Sequence, residues 1–513
     1  MAKKPATQPK ATVDHFDIMV VGGGINGAGI ARDAAGRGYS VCLCDAGDFG
    51  GGTSSASTKL VHGGLRYLEH YEFRLVRESL MEREVLWQMA PHIIWPLRFI
   101  LPYHSGLRPA WLLRLGLFLY DNLGGRKLLP GTKTLDLKSE PPGNPLKEEF
   151  RKGFEYSDCW VEDSRMVILN LRDAQEKGAD VRPRTALKQA RHEDGKWSLQ
   201  LKDAKSGKIS LVTSSLVVNA TGPYVDQVLN TAFGRNDAHH VRLVRGSHIV
   251  IAKKYKHDRC YIFQNSDDRI IFAIPYERKY TLIGTTDVEH GEMDAKPEIT
   301  PEETEYLCEM ASEYFAEPVS KTDIVWTYSG VRPLFDDGAS KAQEATRDYV
   351  LQPDESLGSG TLINIFGGKI TTFRRLAESM MEMIEERLGK RGPAWTRGAV
   401  LPGGDFPVSG FDKLVSDLAG KFPFVPADLL TRLARDYGTD CKVMLDGASS
   451  IKDMGKHFGN ELYEREVAYL MDKEWAMAAE DVLFRRTRLG IAMTARQISA
   501  LEKFMQAKTK VSG

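Results

Sequence analysis

The chain has 513 residues, with 69 Lys plus Arg against 69 Asp plus Glu, so its formal net charge is zero. That balance supplies no global field for nucleic acid, and any anion must be held by local cations. The length allows two or three domains. The six cysteines, none in a C-x-x-C pair, exclude a disulfide framework or a zinc site and read as reduced, intracellular thiols.

In chain order, residues 1–13 carry lysines and prolines but no apolar stretch of signal type, and read as a disordered tail. "FDIMVV" is a β-rich run, "GGGINGAGIARDAAGRG" a helix whose small residues suit close packing on a sheet, and "YSVCLCDAG" a second strand. Together they form a β-α-β unit ending in an acid. Cys42 and Cys44 alternate along that strand and are assigned to packing.

Further strands are expected at "SLVVNATG", "SHIVIA", "RIIFAIPYERKYTLIGTTD" and "TLINIFGG", with helices between them, which makes the body mixed α/β. The expected architecture is a Rossmann-like nucleotide-type domain (14–92, 151–240 and 341–389) interleaved with a mixed β-sheet domain (93–150 and 241–340); the motifs below make these the FAD-binding domain and the substrate- and membrane-facing domain. Residues 390–404, dense in Gly and Pro, read as a linker. Residues 405–513 read as a helical domain, with Leu429, Leu430, Leu433 and Tyr437 on one stripe. No run reaches the roughly 18 apolar residues of a membrane-spanning helix.

Gly22, Gly24 and Gly27 form G-x-G-x-x-G. With 47 glycines in the chain, that spacing alone arises by chance about 0.3 to 0.4 times, so its context carries the argument. The motif follows a strand, opens a helix and is answered by Asp45 at the end of the next strand. Gly22 permits the turn, Gly24 admits a pyrophosphate to the backbone and Gly27 lets the helix approach, while Asp45 can accept from ribose hydroxyls. FAD is favoured over NAD because "NATGPYVD" and "FGGKITTFRR" add two glycine-bearing strand ends. In the second, Gly367 and Gly368 are expected to open a helix from Lys369 onward, whose dipole would stabilise negative charge on a reduced flavin ring.

The runs "GGGINGAGIARDAAGRG", "TSSASTKLVHGGLRYLEHYEFRLV", "KGFEYSDCWVEDSR", "VNATGP", "RGSHIV", "IGTTDVE", "DIVWTYSGVRPL" and "FGGKITTFRRLAE" resemble those of the bacterial aerobic glycerol-3-phosphate dehydrogenases, flavoproteins of the D-amino-acid-oxidase-like fold. The resemblance runs from about residue 16 to the C-terminus. It implies FAD, oxidation of sn-glycerol 3-phosphate to dihydroxyacetone phosphate, electron delivery to ubiquinone or another membrane quinone, and attachment to the cytoplasmic face of the cell membrane. Asp45 is a departure, standing where such proteins often carry Glu.

That chemistry requires cations for a phosphate dianion, an acceptor for the C2 hydroxyl proton and close approach of C2 to the flavin. The resemblance assigns Arg332 of "SGVRPL" to substrate binding and brings Arg66 and Tyr67 to the substrate from the end of the cofactor-cradling loop. Lys369, after the glycine pair, is expected to reach both flavin and substrate. His248 of "RGSHIV" is expected as the catalytic base, since imidazole titrates near neutrality, with His62 as the runner-up. Thr285 is a candidate for the same cavity. The hydroxyls of Thr53, Ser54 and Ser55, with Lys59, His62, Gly63 and Gly64, are expected along the cofactor. Asn26, Ala220, Thr221, Gly222 and Thr371 complete that set.

"LRPAWLLRLGLFLYDNLGGRKLL", with Trp111, Phe118 and Tyr120, reads as a membrane face or a buried core helix, and the resemblance favours lipid contact. "PHIIWPLRFILPYH" has a similar character. A homodimer is allowed for. Three rivals stand beside the main reading: an oxygen-using glycerol-3-phosphate oxidase, an amine or amino-acid oxidase of the same fold, and a flavin- or NAD-sensing module without turnover. The cations Arg66, Arg332 and Lys369 weigh against the second. No metal-binding or Walker motif is present.

Overall fold

The computed structural model describes residues 13–68, 71–235, 240–265, 267, 269–293, 296–336, 348–354 and 361–511. Twelve of the thirteen residues expected as a tail therefore lie outside the described residues. The β-α-β unit is β1 (Asp14–Val21), α1 (Ile25–Gly36) and β2 (Val41–Cys44). β1 pairs in parallel with β2 on one side and with Ile209–Asn219 on the other. A strand covered on both faces reads as a continuous apolar run, as "IMVV" does. Thr361–Phe366 and Val350–Asp354 extend this sheet at one edge, and Asp180–Arg182 extends it at the other. Cys42 and Cys44 are fully buried in one cluster with Met19 and Val21.

A second sheet is built largely of antiparallel pairs. Its longest pairing joins Val241–Ala252 to Ile324–Phe335 and sets Val244 opposite Arg332 and His248 opposite Tyr328. Ile94–Tyr103 pairs antiparallel with Lys152–Val161 along ten residues, Ile94↔Val161 through Tyr103↔Lys152. Two expectations change here. Lys152–Val161, read with the cofactor-binding part, belongs to this second sheet. The apolar run "PHIIWPLRFILPYH" is a core strand and no surface element, with Phe99, Ile100 and Leu101 at most 1 % exposed. Its hydrophobicity is spent on the sheet interior.

Three helices connect these sheets to the site: α2 (Phe73–Met89), α3 (Ala110–Leu123) and α4 (Asp163–Glu176). α3 is amphipathic. Leu117 and Tyr120 are buried, whereas Trp111, Leu115 and Phe118 are 70, 47 and 59 % exposed. These three positions, with Arg114, form one helical stripe.

Residues 390–404 do not swing free as a linker would. Leu401 is buried and its N–H donates to the Met89 carbonyl at 2.8 Å, while Trp395 Nε1 donates to the Asp33 carbonyl at 3.2 Å. Beyond them lies the helical C-terminal region with its own core, in which Leu429, Leu430, Leu433 and Tyr437 are buried. No helix among the described residues is long and apolar enough to cross a membrane.

Candidate active site

At the carboxyl ends of β1 and β2 the chain makes a tight glycine turn. Gly22 has φ +109°, and a Cβ there would lie 2.5 Å from the Ala220 carbonyl oxygen; at Gly27 one would lie 1.9 Å from the Gly22 oxygen. No other residue type fits both positions. The N–H of Ile25, at the start of α1, donates to Ser54 Oγ at 3.0 Å. Asp45 folds back on the same turn, its Oδ2 accepting from the Gly23 amide and its Oδ1 from the Gly47 amide, both at 2.7 Å. Burial raises its pKa, partly offset by these two hydrogen bonds.

From this turn a cavity of about 1170 Å³ runs through the molecule, larger than ordinary small-ligand sites of about 300–1,000 Å³. Its lining includes Gly22, Gly24, Asp45 and Ser54 at the glycine turn, with Ala220, Thr221 and Gly222, and Asn26 and Thr53, which tie the turn to the rest of the wall through the Gly367 carbonyl at 3.3 Å and the Val331 carbonyl at 2.5 Å. The same cavity is lined by His62, Gly64, Arg66, Tyr67, Thr285, Arg332, Gly367, Gly368, Lys369 and Thr371. The cavity thus joins residues far apart in sequence.

Several cations line this cavity. Lys369 Nζ lies 3.9 Å above the Tyr67 ring centroid. Arg332 pairs with Asp287 and reaches Thr285 Oγ1 at 3.3 Å. The expected helix from Lys369 begins instead at Phe373. Gly367 and Gly368 both have positive φ, and a separate turn, closed by the Thr372 N–H on the Lys369 carbonyl at 3.1 Å, comes first. Lys369 therefore acts from a turn, a step removed from the helix terminus.

Five expected residues stand behind the wall. Lys59 is 1 % exposed, and its Nζ is bound to both Asp163 oxygens at 3.0 and 2.9 Å and to the Ser55 carbonyl at 3.2 Å, so its charge is spent inside the protein. Ser55 donates to the Gly52 carbonyl, and the Gly63 N–H to Tyr120 Oη at 2.8 Å and Asp158 at 3.2 Å. Gly27 faces Gly22 rather than the cavity.

His248 is the fifth. It is 1 % exposed and stacked on Tyr328 at 4.6 Å, and its Nε2 lies 3.0 Å from Thr58 Oγ1, which does line the cavity. Its Nδ1 has no hydrogen-bond partner among the described residues. The runner-up, His62, lines the cavity directly. Burial, with Arg332 and Lys59 nearby, pushes the His248 pKa well down. Burial also lowers that of His62, against the pull of Asp158 and with help from Lys369 and Arg83. Both rings are thereby kept neutral near pH 7.

The residues fit FAD. The Gly22–Gly27 turn lets a diphosphate approach bare backbone, and each Asp45 oxygen accepts one amide and retains capacity for a ribose hydroxyl. Asn26 Oδ1, buried and without a partner among the described residues, faces the same region. Sequence reasoning missed Asp287, although it sits inside "IGTTDVE", and it missed Arg184, Glu480 and Arg485, which line the cavity. No local pattern marks those last three. No group of three or more His, Cys, Asp or Glu among the described residues is arranged to hold a metal ion.

Comparison with known proteins agrees with this geometry. The family model for the FAD dependent oxidoreductases (DAO) matches residues 17–371, and that for the C-terminal domain of alpha-glycerophosphate oxidase matches residues 394–512. The chain is 48 % identical over 490 residues to D-erythritol 1-phosphate dehydrogenase of Brucella abortus, covering 96 % of this chain and 97 % of that one. It is 47 % identical over 493 residues to the glycerol-3-phosphate dehydrogenase of Pseudomonas aeruginosa, covering 96 and 95 %. Among solved structures, the glycerol-3-phosphate dehydrogenase of Bacillus halodurans complexed with FAD superposes with a TM-score of 0.78 at 26 % identity, covering 97 and 91 %. The glycine turn, the large cavity that opens from it and the matching families agree on FAD, and the chain belongs to the FAD-dependent oxidoreductase family.

Proposed function

We propose that the protein oxidises sn-glycerol 3-phosphate to dihydroxyacetone phosphate with FAD and passes the electrons to a membrane quinone. The observation that supports this reading is that Arg66, Arg332 and Lys369 all line the cavity that the glycine turn also lines. Bound FAD supplies the hydride acceptor. Arginine's planar fork makes paired hydrogen bonds to phosphate oxygens, and Lys369 adds a point charge. Asp287 holds Arg332 in place while leaving the rest of its fork for the ester. His62, neutral and at the wall, takes the C2 hydroxyl proton; His248 acts on the same region through the Thr58 hydroxyl.

The exposed stripe of Trp111, Leu115 and Phe118 on α3 supports attachment to the inner face of the cell membrane, where a quinone is reached. Aromatic and aliphatic side chains flanked by Arg108, Arg114, Arg126 and Lys127 suit a headgroup boundary. Vesicle flotation tests it: Trp111→Ser with Phe118→Ser should release the protein from anionic vesicles.

The deciding experiment is anaerobic addition of glycerol 3-phosphate to the purified yellow protein. The flavin absorbance should bleach and return on addition of a quinone analogue. No bleaching would end the reading, and peroxide formation in air at the quinone rate would make the enzyme an oxidase. A four-carbon polyol phosphate is a second substrate reading, favoured by the 48 % identity to the erythritol-phosphate enzyme. The ratio of kcat/KM for the two esters decides between them.

A further inference from the structure

The helical C-terminal region reaches the cavity wall with Ala478, Glu480 and Arg485, and the run Arg485-Arg486-Thr487-Arg488 ties it to the surrounding loop. That loop begins at Asp45 and ends at Lys59. Asp45, Asp48, Gly50, Thr53, Ser54 and Thr58 line the cavity, so this loop forms a continuous part of its wall.

The run grips both ends of that loop. At the first end, Asp48 receives Arg485 Nε at 2.5 Å and Arg486 Nη1 and Nη2 at 2.7 and 2.8 Å. Arg486 is fully buried and the Asp48 side chain is 2 % exposed. At the second end, Arg488 Nη2 donates to Asp163 Oδ1 and to Ser164 Oγ, each at 2.8 Å. Asp163 in turn binds Lys59 and accepts from Ser57 Oγ at 2.8 Å. Ser164 Oγ donates to the Arg485 carbonyl at 2.7 Å, which closes the circuit.

A third strap lies alongside. Arg184 Nη2 binds both oxygens of Asp481 at 2.8 Å, while the Arg184 N–H donates to the Gly47 carbonyl at 2.9 Å. Ala478, Glu480 and Arg485 themselves form part of the cavity wall. Nothing in the oxidation chemistry requires these residues.

We propose that residues 485–488 are a clasp through which the C-terminal region holds the 45–59 loop closed over the FAD and so controls its release. The buried, multiply bonded arginine pairs must part before the loop can open, because a charge left alone in that interior is strongly disfavoured. Linkage makes the effect reciprocal: what the clasp does for FAD retention, bound FAD does for order in the clasp. This inference rests on the FAD assignment, and the arginines are positioning residues.

The test begins with the yellow holoenzyme, diluted so that released FAD is read by its recovered fluorescence. Arg485→Gln and Arg486→Gln should each speed release by about tenfold or more, within the usual range of coupling between sites, and Arg486→Lys should recover part of the loss. Release at the unaltered rate in both Gln variants overturns the clasp. Should these variants fail to fold, hydrogen exchange on the unaltered chain decides: peptides covering 474–492 should exchange more slowly with FAD bound than after it is stripped. Equal exchange overturns the proposal. A purified protein without flavin overturns both the clasp and the FAD reading, whereas equal release from a yellow protein overturns the clasp alone.

Discussion

Two parts of the cavity wall are made in different ways. At the glycine turn the protein presents mostly main chain, and its polar side chains are already committed: Asp45 to the Gly23 and Gly47 amides, Ser54 to the Ile25 amide. Around the cations it presents side chains from three separate stretches, around residues 62–67, 285–332 and 367–371. The first part is preorganised by backbone geometry that only glycine adopts. The second depends on a few long, charged groups held by neighbours such as Asp287 and the Tyr67 ring. On the proposed function, binding the cofactor and choosing the substrate are separable properties.

Substitutions in one part and not the other can break that separation. The largest expected effect is Arg332→Ala, which should lower kcat/KM by about a thousandfold, as removal of one partner of a charge-assisted pair does, while flavin absorbance per protein stays intact. Loss of bound flavin in this variant would show the two parts to be coupled.

Next comes His62→Ala, expected to slow anaerobic flavin reduction by about a hundredfold, the lower part of the range for a lost general base. His248→Ala should cost less, since its ring reaches the cavity only through Thr58. The reverse order would transfer the proton to His248.

Gly22→Ala probes the other part. A Cβ at φ +109° and 2.5 Å from the Ala220 oxygen imposes strain of about 1–3 kcal/mol. FAD should be retained roughly tenfold less well by equilibrium titration, with the KM for the ester unmoved once flavin is saturating.

The smallest effect is in the pH profile. Because burial lowers the His62 pKa, the neutral, proton-accepting ring persists to lower pH than an ordinary histidine. The rate of flavin reduction should stay level down through about pH 6.5, the usual imidazole value, and fall only as the pH drops through the lowered one. A fall already centred above that value would mean that His62 is not the acceptor.

The glycine turn was legible in the sequence because its rules are local. A strand, a glycine spacing and an acid about 20 residues on describe one β-α-β unit, and the structure places Gly22, Gly24 and Asp45 together as that pattern requires. The set of cations was legible only through family resemblance, since nothing in "SGVRPL" states that its arginine will share a cavity with Lys369. Where reading failed, tertiary partners decided. Lys59 looked like a cofactor cation until Asp163, 104 residues away in sequence, claimed it. The strand Ile94–Tyr103 looked like a membrane segment because buried sheet and lipid-facing surface draw on the same residues. The role of 485–488 left no sequence signal at all, because arginine runs on helical domains are ordinarily solvated faces.

α3 carries one more consequence. Its outward side bears Trp111 and Phe118, while its inward side holds Tyr120, whose hydroxyl takes up the amide of Gly63, next to His62. Asp158 and Arg83 fix that phenol from behind. Under the proposed membrane attachment, a change in the tilt of this helix is felt one peptide unit from the imidazole. Turnover measured on phospholipid should therefore exceed that of the same enzyme in buffer, and Tyr120→Phe should shrink the difference.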